Sequence, residues 1–350
     1  MVGFFLLSYV MQGKYQGDTL HLIPGDKHPQ SFGNPLFKGA QLKGPVFILD
    51  QEQVDNRFLK LDTISKRHGD NFYLQAEYDV SYSSVVESIV SCFVESMVAD
   101  EDFPCLTYRF EKVIPKVNAQ PITGTSAPNY VRAGCLESVL TDRSAMAFEK
   151  YLVKYDEFEQ AIKNKSDNQA ILSSMIAFFT RYGLTVQEAK AFIVKQAAFD
   201  LLLGNEDRKG NSTNFVFLVG FESVQPYNMD FGRCLRIPDW KEQMEQAMQR
   251  FQGTAEWQEI ILDFKDQIKQ SHQLGILGND SYAKNIDFLF EHGFQPFQID
   301  FGLLQEKLKH CVARIQTLEP KLATFAQAKA DLLLALLADK DAKRLWEEMR

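Results

Sequence analysis

Residues 199–235 read FDLLLGNEDRKGNSTNFVFLVGFESVQPYNMDFGRCL, and the acidic and amide side chains in this stretch are those that phosphoryl transfer requires. The reaction needs few catalytic groups, because positioning and electrostatics supply most of the acceleration. One carboxylate must orient the acceptor hydroxyl and take its proton. A second carboxylate and an amide oxygen must hold Mg²⁺, which prefers hard oxygen donors. A polar loop offering Asp207 and Asn214, followed by a hairpin that returns Asp230, can place these groups around one cavity. Asp207 is the expected base, and Asn214 and Asp230 are the expected metal ligands. Counting back from the following strand selects Asn214, and this is preferred because strand register is hard to shift. Asn211 stays open as the alternate metal ligand.

These groups need elements to hold them. An apolar helical run ends at Gly204, the apolar segment NFVFLV (214–219) reads as a strand, and PYNMDF (226–231) reads as its returning partner. Residues 1–75 alternate short apolar runs with Gly- and Pro-containing turns, among them DTLHLI, GPVFILD and NRFLKLD, and are expected to be strands. From Ser81 the period changes. Val85, Val86, Ile89, Val90, Phe93 and Met97 recur at helical spacing, and 106–114 again looks like a strand. Residues 115–129, rich in Pro, Gly, Ser and Thr, are expected to be a linker between lobes. Helices are expected over roughly 143–162, 167–182, 185–203, 238–251, 254–271, 279–291 and 304–347, the last broken near Pro320. This predicts an α+β chain with a β-rich first part (1–115) and a mainly helical remainder (116–350) that contains one embedded hairpin.

The order of these segments resembles the HipA-like family of bacterial serine/threonine kinases. In that family an apolar helix runs into N-x-D-R-H-x-x-N, then a strand, then a metal-binding Asp. Here the corresponding residues are Asn205-Glu206-Asp207-Arg208-Lys209, Asn214 and Asp230-Phe231-Gly232. Lys209 stands where the family has His, and the loop is two residues longer, so the family's offset of five residues from the catalytic Asp lands on Ser212 rather than on Asn214. Phosphoinositide-type kinases share a similar pattern, so this stretch alone does not separate the two. The segment FKGAQLKGPVFIL (37–49) looks like the family's G-A-Q-x-K loop, which implies nucleotide contacts from Gly39, Ala40, Gln41 and Lys43. The strand Arg57-Phe58-Leu59-Lys60-Leu61 resembles the one that carries the phosphate-contacting lysine, here Lys60. The helix that follows resembles the one whose glutamate pairs with that lysine, here Glu87, with Glu77 or Glu95 as alternatives. Gly39 and Gly44 would allow close backbone approach to phosphates. The resemblance implies a two-lobed protein-kinase-like fold with a small nucleotide-binding N-lobe and a larger C-lobe. It also implies ATP and Mg²⁺ as cofactors, a protein Ser/Thr acceptor and, for some members, an antitoxin or other regulatory partner.

Composition narrows the alternatives. The formal charge is −8 over 350 residues, which gives no support to general nucleic-acid binding. Five scattered cysteines without CxxC spacing read as free thiols rather than a disulfide framework or zinc site. The start, MVGFFLLSYVMQGK, lacks a basic segment and a small-residue cleavage site, so it does not read as a signal peptide. No apolar stretch approaches the roughly 18–20 residues a membrane span needs. The expected location is the cytoplasm. Trp240, Trp257 and Trp346 read as packing residues, and residues 236–350 show no chemical motif. Three competing readings remain: a lipid or small-molecule kinase of similar fold, a pseudokinase or interaction module that binds nucleotide without turnover or not at all, and a helical scaffold with a small β domain whose kinase-like motifs are accidental.

Overall fold

The computed structural model describes residues 11–23, 41–49, 54–68, 71–75, 83–100, 102–115, 120–128, 144–147, 167–181, 183–205, 215–219, 224–235, 250, 253–270, 277 and 280–349. Seven strands come first in space: β1 (Met11–Gln16), β2 (Thr19–Ile23), β3 (Gln41–Leu49), β4 (Val54–His68), β5 (Asn71–Gln75), β6 (Arg109–Ile114) and β7 (Ile122–Pro128). Their order is β3-β1-β2-β6-β7-β4-β5, with β3 also paired to β4. Six strands therefore close on themselves into a barrel, and β5 extends it along the far half of β4. Closure removes the sheet edges that would otherwise invite pairing with other chains. The barrel core is aliphatic: Leu20, Leu22, Val46, Ile48, Leu59, Leu61 and Val113 are buried together. Period-two alternation explains the choice, since Leu59 and Leu61 face inward while Phe58, Lys60 and Asp62 face outward.

Against the outer face lies α1 (Ser83–Ser96), a helix buried over nearly its whole length. Its serines make that burial tolerable. Ser88 donates to the Ser84 carbonyl, Ser91 to the Glu87 carbonyl and Ser96 to the Phe93 carbonyl. A buried hydroxyl so satisfied avoids the desolvation penalty of an unpaired one. The remaining helices are α2 (Asn168–Thr180), α3 (Val186–Leu203), α4 (Ala255–Gln270), α5 (Tyr282–Glu291), α6 (Phe301–Leu318) and α7 (Ala323–Ala338). Thr185 and Glu188 form a reciprocal capping box at the start of α3, and Gly204 closes it in the left-handed conformation. A second sheet joins β8 (Ser144–Ala147), β9 (Phe215–Val219) and β10 (Val224–Asn228), and a third pairs β11 (Phe297–Ile299) with β12 (Trp346–Glu348). One continuous apolar core runs from α1 through α3 to α7 and takes in Phe110 and Ala127 from the barrel wall.

The mixed α+β composition agrees with expectation, but four segments differ. The stretch expected as a linker carries β7, which pairs with both β4 and β6, so the barrel runs on past residue 115. Its Gly-Thr-Ser-Ala composition reflects close packing: a Cβ on Gly124 would sit 2.4 Å from the Lys60 carbonyl oxygen. Residues 144–147, expected as the start of a helix, form a strand because β9 supplies a pairing edge. Residues 346–348, the first two of them expected as the end of a helix, pair instead with β11. Gln41, Lys43 and Gly44, expected in a phosphate-binding loop, lie within β3, where an irregularity falls between Gln41 and Lys43 and Lys43 stands opposite Lys60.

Candidate active site

Lys60 leaves β4 on the outer face of the barrel, toward α1. Its ammonium lies 2.5 Å from Glu87 Oε1 and 2.8 Å from Asp230 Oδ1. Three elements separated by up to 170 residues thus converge on one nitrogen. Glu87 is fully buried, and Thr125 on β7 donates to its other oxygen at 2.7 Å. Thr125 and Lys60 are directly paired across β7 and β4, so strand register delivers both groups to the same carboxylate. The Lys60 side chain is 11 % exposed and that of Asp230 23 % exposed, which leaves the Asp230 end of the cluster open to solvent.

The electrostatics follow from this geometry. Burial alone would lower the Lys60 pKa, but the Asp230 and Glu87 carboxylates more than offset it, and the ammonium is held above its ordinary range. Burial raises the Glu87 pKa, with Lys60 pulling in the opposite direction. The cluster therefore holds a fixed cation between two carboxylates, with one face toward solvent.

Asp230 is set by its neighbours. It adopts a left-handed conformation, φ 61°, which is uncommon outside glycine, though Asp tolerates it better than most residues. Its amide donates to the Tyr108 hydroxyl at 3.2 Å. The next residue, Phe231, is fully buried and packs edge-on against Tyr108 and at 5.4 Å from Phe199 of α3. Tyr108 in turn donates its backbone N–H to the Ser91 hydroxyl of α1 at 2.7 Å. A Cβ on Gly232 would meet the Ser83 Cβ at 3.0 Å and Lys60 Nζ at 3.6 Å, so the third residue of the Asp-Phe-Gly turn lies against the cluster. At the end of this turn Leu235 is also left-handed, φ 53°. Its amide donates to the Leu203 carbonyl, and its carbonyl accepts from Lys329 of α7 at 2.6 Å.

The sequence-predicted residues divide into three groups. Lys60, Glu87 and Asp230 meet. Of the two alternatives to Glu87, Glu95 pairs with Lys307 at 2.6 Å, while Glu77 lies outside the described residues. Gln41 and Lys43 are placed on β3 by backbone register alone. Asp207, Asn211, Asn214, Gly39 and Ala40 lie outside the described residues. Among the described residues no group of three His, Cys, Asp or Glu side chains could hold a metal ion, and no helix is long and apolar enough to cross a membrane. Cys92, Cys105, Cys234 and Cys311 are free thiols, and Trp257 and Trp346 are buried. Sequence reasoning passed over Thr125, Tyr108, Asp62 and Lys329. Of these only Asp62 left a trace, since it lies two residues from Lys60 on one strand and so shares its face.

No family model matches the chain, and no curated protein matches it. Among solved structures it is similar to the proinflammatory kinase CtkA of Helicobacter pylori, at 13% identity and a TM-score of 0.39, over 78% of this chain and 94% of that one. It is also similar to a chain of the Shewanella oneidensis MR-1 toxin–antitoxin complex of HipA, HipB and operator DNA. That likeness has 12% identity and a TM-score of 0.32, over 87% of this chain and 65% of that one. Likenesses this remote leave the meaning of the site to its own geometry.

Proposed function

We propose that the protein is an ATP- and Mg²⁺-dependent phosphotransferase. The observation behind this reading is the Lys60–Glu87–Asp230 cluster, with Lys60 bonded to both carboxylates and Asp230 partly open. A buried glutamate that fixes a strand lysine gives a point charge suited to nucleotide phosphates. Asp230 offers hard carboxylate oxygens of the kind Mg²⁺ selects, one donor of the set such an ion would need. In this reading Lys60 binds phosphate oxygens, Glu87 orients Lys60 and Asp230 contributes to metal binding. Asp207 takes the acceptor proton, and Asn214 or Asn211 completes the metal ligands. Gly39, Ala40, Gln41 and Lys43 approach the phosphates.

The finer reading is a two-lobed HipA-like kinase acting on serine or threonine of a protein in the cytoplasm, with an antitoxin-type regulatory partner. The sequence motifs support it. Lys209 in place of His and the lengthened loop favour one competing outcome, a protein that binds nucleotide without fast transfer.

Thermal unfolding with and without ATP and Mg²⁺ tests the proposal. A ligand at about 100 times its dissociation constant stabilises by ~2.7 kcal/mol. ATP is expected to raise the melting temperature only with Mg²⁺, and Asp230→Asn to abolish that response. If ATP leaves the wild-type melting temperature unchanged under all conditions, the proposal fails. Labelled ATP offered to a generic protein acceptor and to lipid headgroups then separates protein transfer, lipid transfer and binding alone.

A further inference from the structure

Asp62 lies two residues beyond Lys60 on β4, on the same outward face, and its side chain is buried. Four donors converge on its two oxygens. Ser83 Oγ donates at 3.1 Å and the Ser84 amide at 3.2 Å to Oδ1. Ser84 Oγ and, at 2.7 Å, Thr123 Oγ1 donate to Oδ2. Ser83 and Ser84 open α1, so the carboxylate accepts an amide that would otherwise be unpartnered in the first helical turn. Thr123 belongs to β7, the strand whose Thr125 bonds Glu87. One side chain therefore ties β4, β7 and the start of α1 together, one helical turn before Glu87.

We propose that Asp62 is a positioning residue that fixes the first turn of α1 to β4, and so sets the reach of Glu87 to Lys60. The assignment of nucleotide binding to that pair is the reading given above; the anchoring of α1 stands on its own contacts. Of the charged neighbours, Glu87 faces Asp62 across the same surface and Lys60 precedes it on the strand. Neither is hydrogen-bonded to it among the contacts described. Asp62 thus acts on the pair through the backbone of α1.

Two measurements on the full chain test this. In amide hydrogen exchange without nucleotide, Asp62→Ala is expected to speed exchange in the first turn of α1 by at least tenfold. The α4 and α6 peptides should be unchanged. Mg·ATP affinity is then measured for wild type, Asp62→Asn, Glu87→Gln and the double variant. A loss of about tenfold on Asp62→Asn is expected, shrinking to less than twofold in the Glu87→Gln background, because a residue acting through Glu87 has nothing left to position. Equal losses in both backgrounds would mean general destabilisation and overturn the proposal, as would unchanged α1 exchange. If Asp62→Ala does not fold, Thr123→Val and Ser84→Ala remove single donors and should each give part of the exchange effect. A wild type that binds no Mg·ATP overturns the nucleotide reading instead, and the exchange result alone then decides whether Asp62 anchors α1.

Discussion

A lysine placed between two carboxylates in a largely buried site has a defined energetic role. Removing Lys60 would leave two neighbouring carboxylates without their shared cation, which is far more costly than the intact cluster is stabilising. Lys60, Glu87 and Asp230 were legible from sequence because each sits in a local pattern: a strand, an amphipathic helix and an Asp-Phe-Gly turn. Asp62 was not, because its role depends on where α1 begins in space. Burial pushes its pKa up to about 7, against the pull of hydrogen bonds from Ser84, Thr123 and Ser83, and the nearby Glu87 charge adds to the rise. The ordinary Asp value is about 3.9. The folded protein therefore retains this proton at pH values where the unfolded chain has released it. Stability from this group is fully present below about pH 4, falls as pH rises toward 7, and is level above that. Chemical denaturation from pH 4 to 8 should show this loss, on the order of a few kcal/mol. Glu87 is raised as well, so the informative quantity is the difference between wild type and Asp62→Asn, which should carry the slope. Parallel curves for the two proteins would show that Asp62 is ionised throughout.

At the scale of elements, the closed barrel explains why the helix and strand of the site keep their spacing. β4 is paired on one side to β3 and on the other to β7, so Lys60 cannot shift along the strand without breaking two ladders. β7 escaped the sequence reading because glycine, threonine and serine signal turns in most contexts, whereas here they permit close approach. Gly124 is the clearest case, with its missing Cβ 2.4 Å from the Lys60 carbonyl oxygen and 3.1 Å from a Leu61 methyl. Gly124→Ala must push β7 off β4 at the residue that bears the site lysine. Overpacking of this kind costs about 1–3 kcal/mol. The variant should unfold at lower denaturant and lose Mg·ATP affinity together, whereas Gly253→Ala, strained only by its left-handed φ of 80° with nothing within 4 Å of its Cβ position, should lower stability alone and leave affinity unchanged. An unaltered affinity in Gly124→Ala would show that β4 and β7 tolerate the displacement.

At the scale of the molecule, the residues expected to do chemistry end near Asp230, yet the fold that holds them does not. Residues 236–350 offered no motif, and nothing in their local pattern reports contacts made some 94 positions away, as Lys329 makes with Leu235. Helix α7 is where this dependence concentrates. Leu332, Leu333, Leu336 and Leu337 are fully buried in the core shared by α1 and α3, and Lys329 holds the carbonyl that ends the Asp-Phe-Gly turn. Burying each leucine contributes about 1.5–3 kcal/mol. Four together reach roughly 6–12 kcal/mol, comparable to the entire ~5–15 kcal/mol stability of a typical domain. A chain truncated after Glu319 retains Lys60, Glu87, Asp207 and Asp230 but loses this helix. It should therefore lose cooperative unfolding, measured by calorimetry, and Mg·ATP binding along with it. Lys329→Met in the full chain keeps the helix and removes the ammonium that bonds the Leu235 carbonyl and lies over the Phe325 ring. It should melt lower but cooperatively, with the larger effect on Asp230-dependent Mg²⁺ response than on overall helicity by circular dichroism. If the truncated chain instead melts cooperatively and binds Mg·ATP, the elements up to Glu319 support the site without α7, and α7 serves some other purpose.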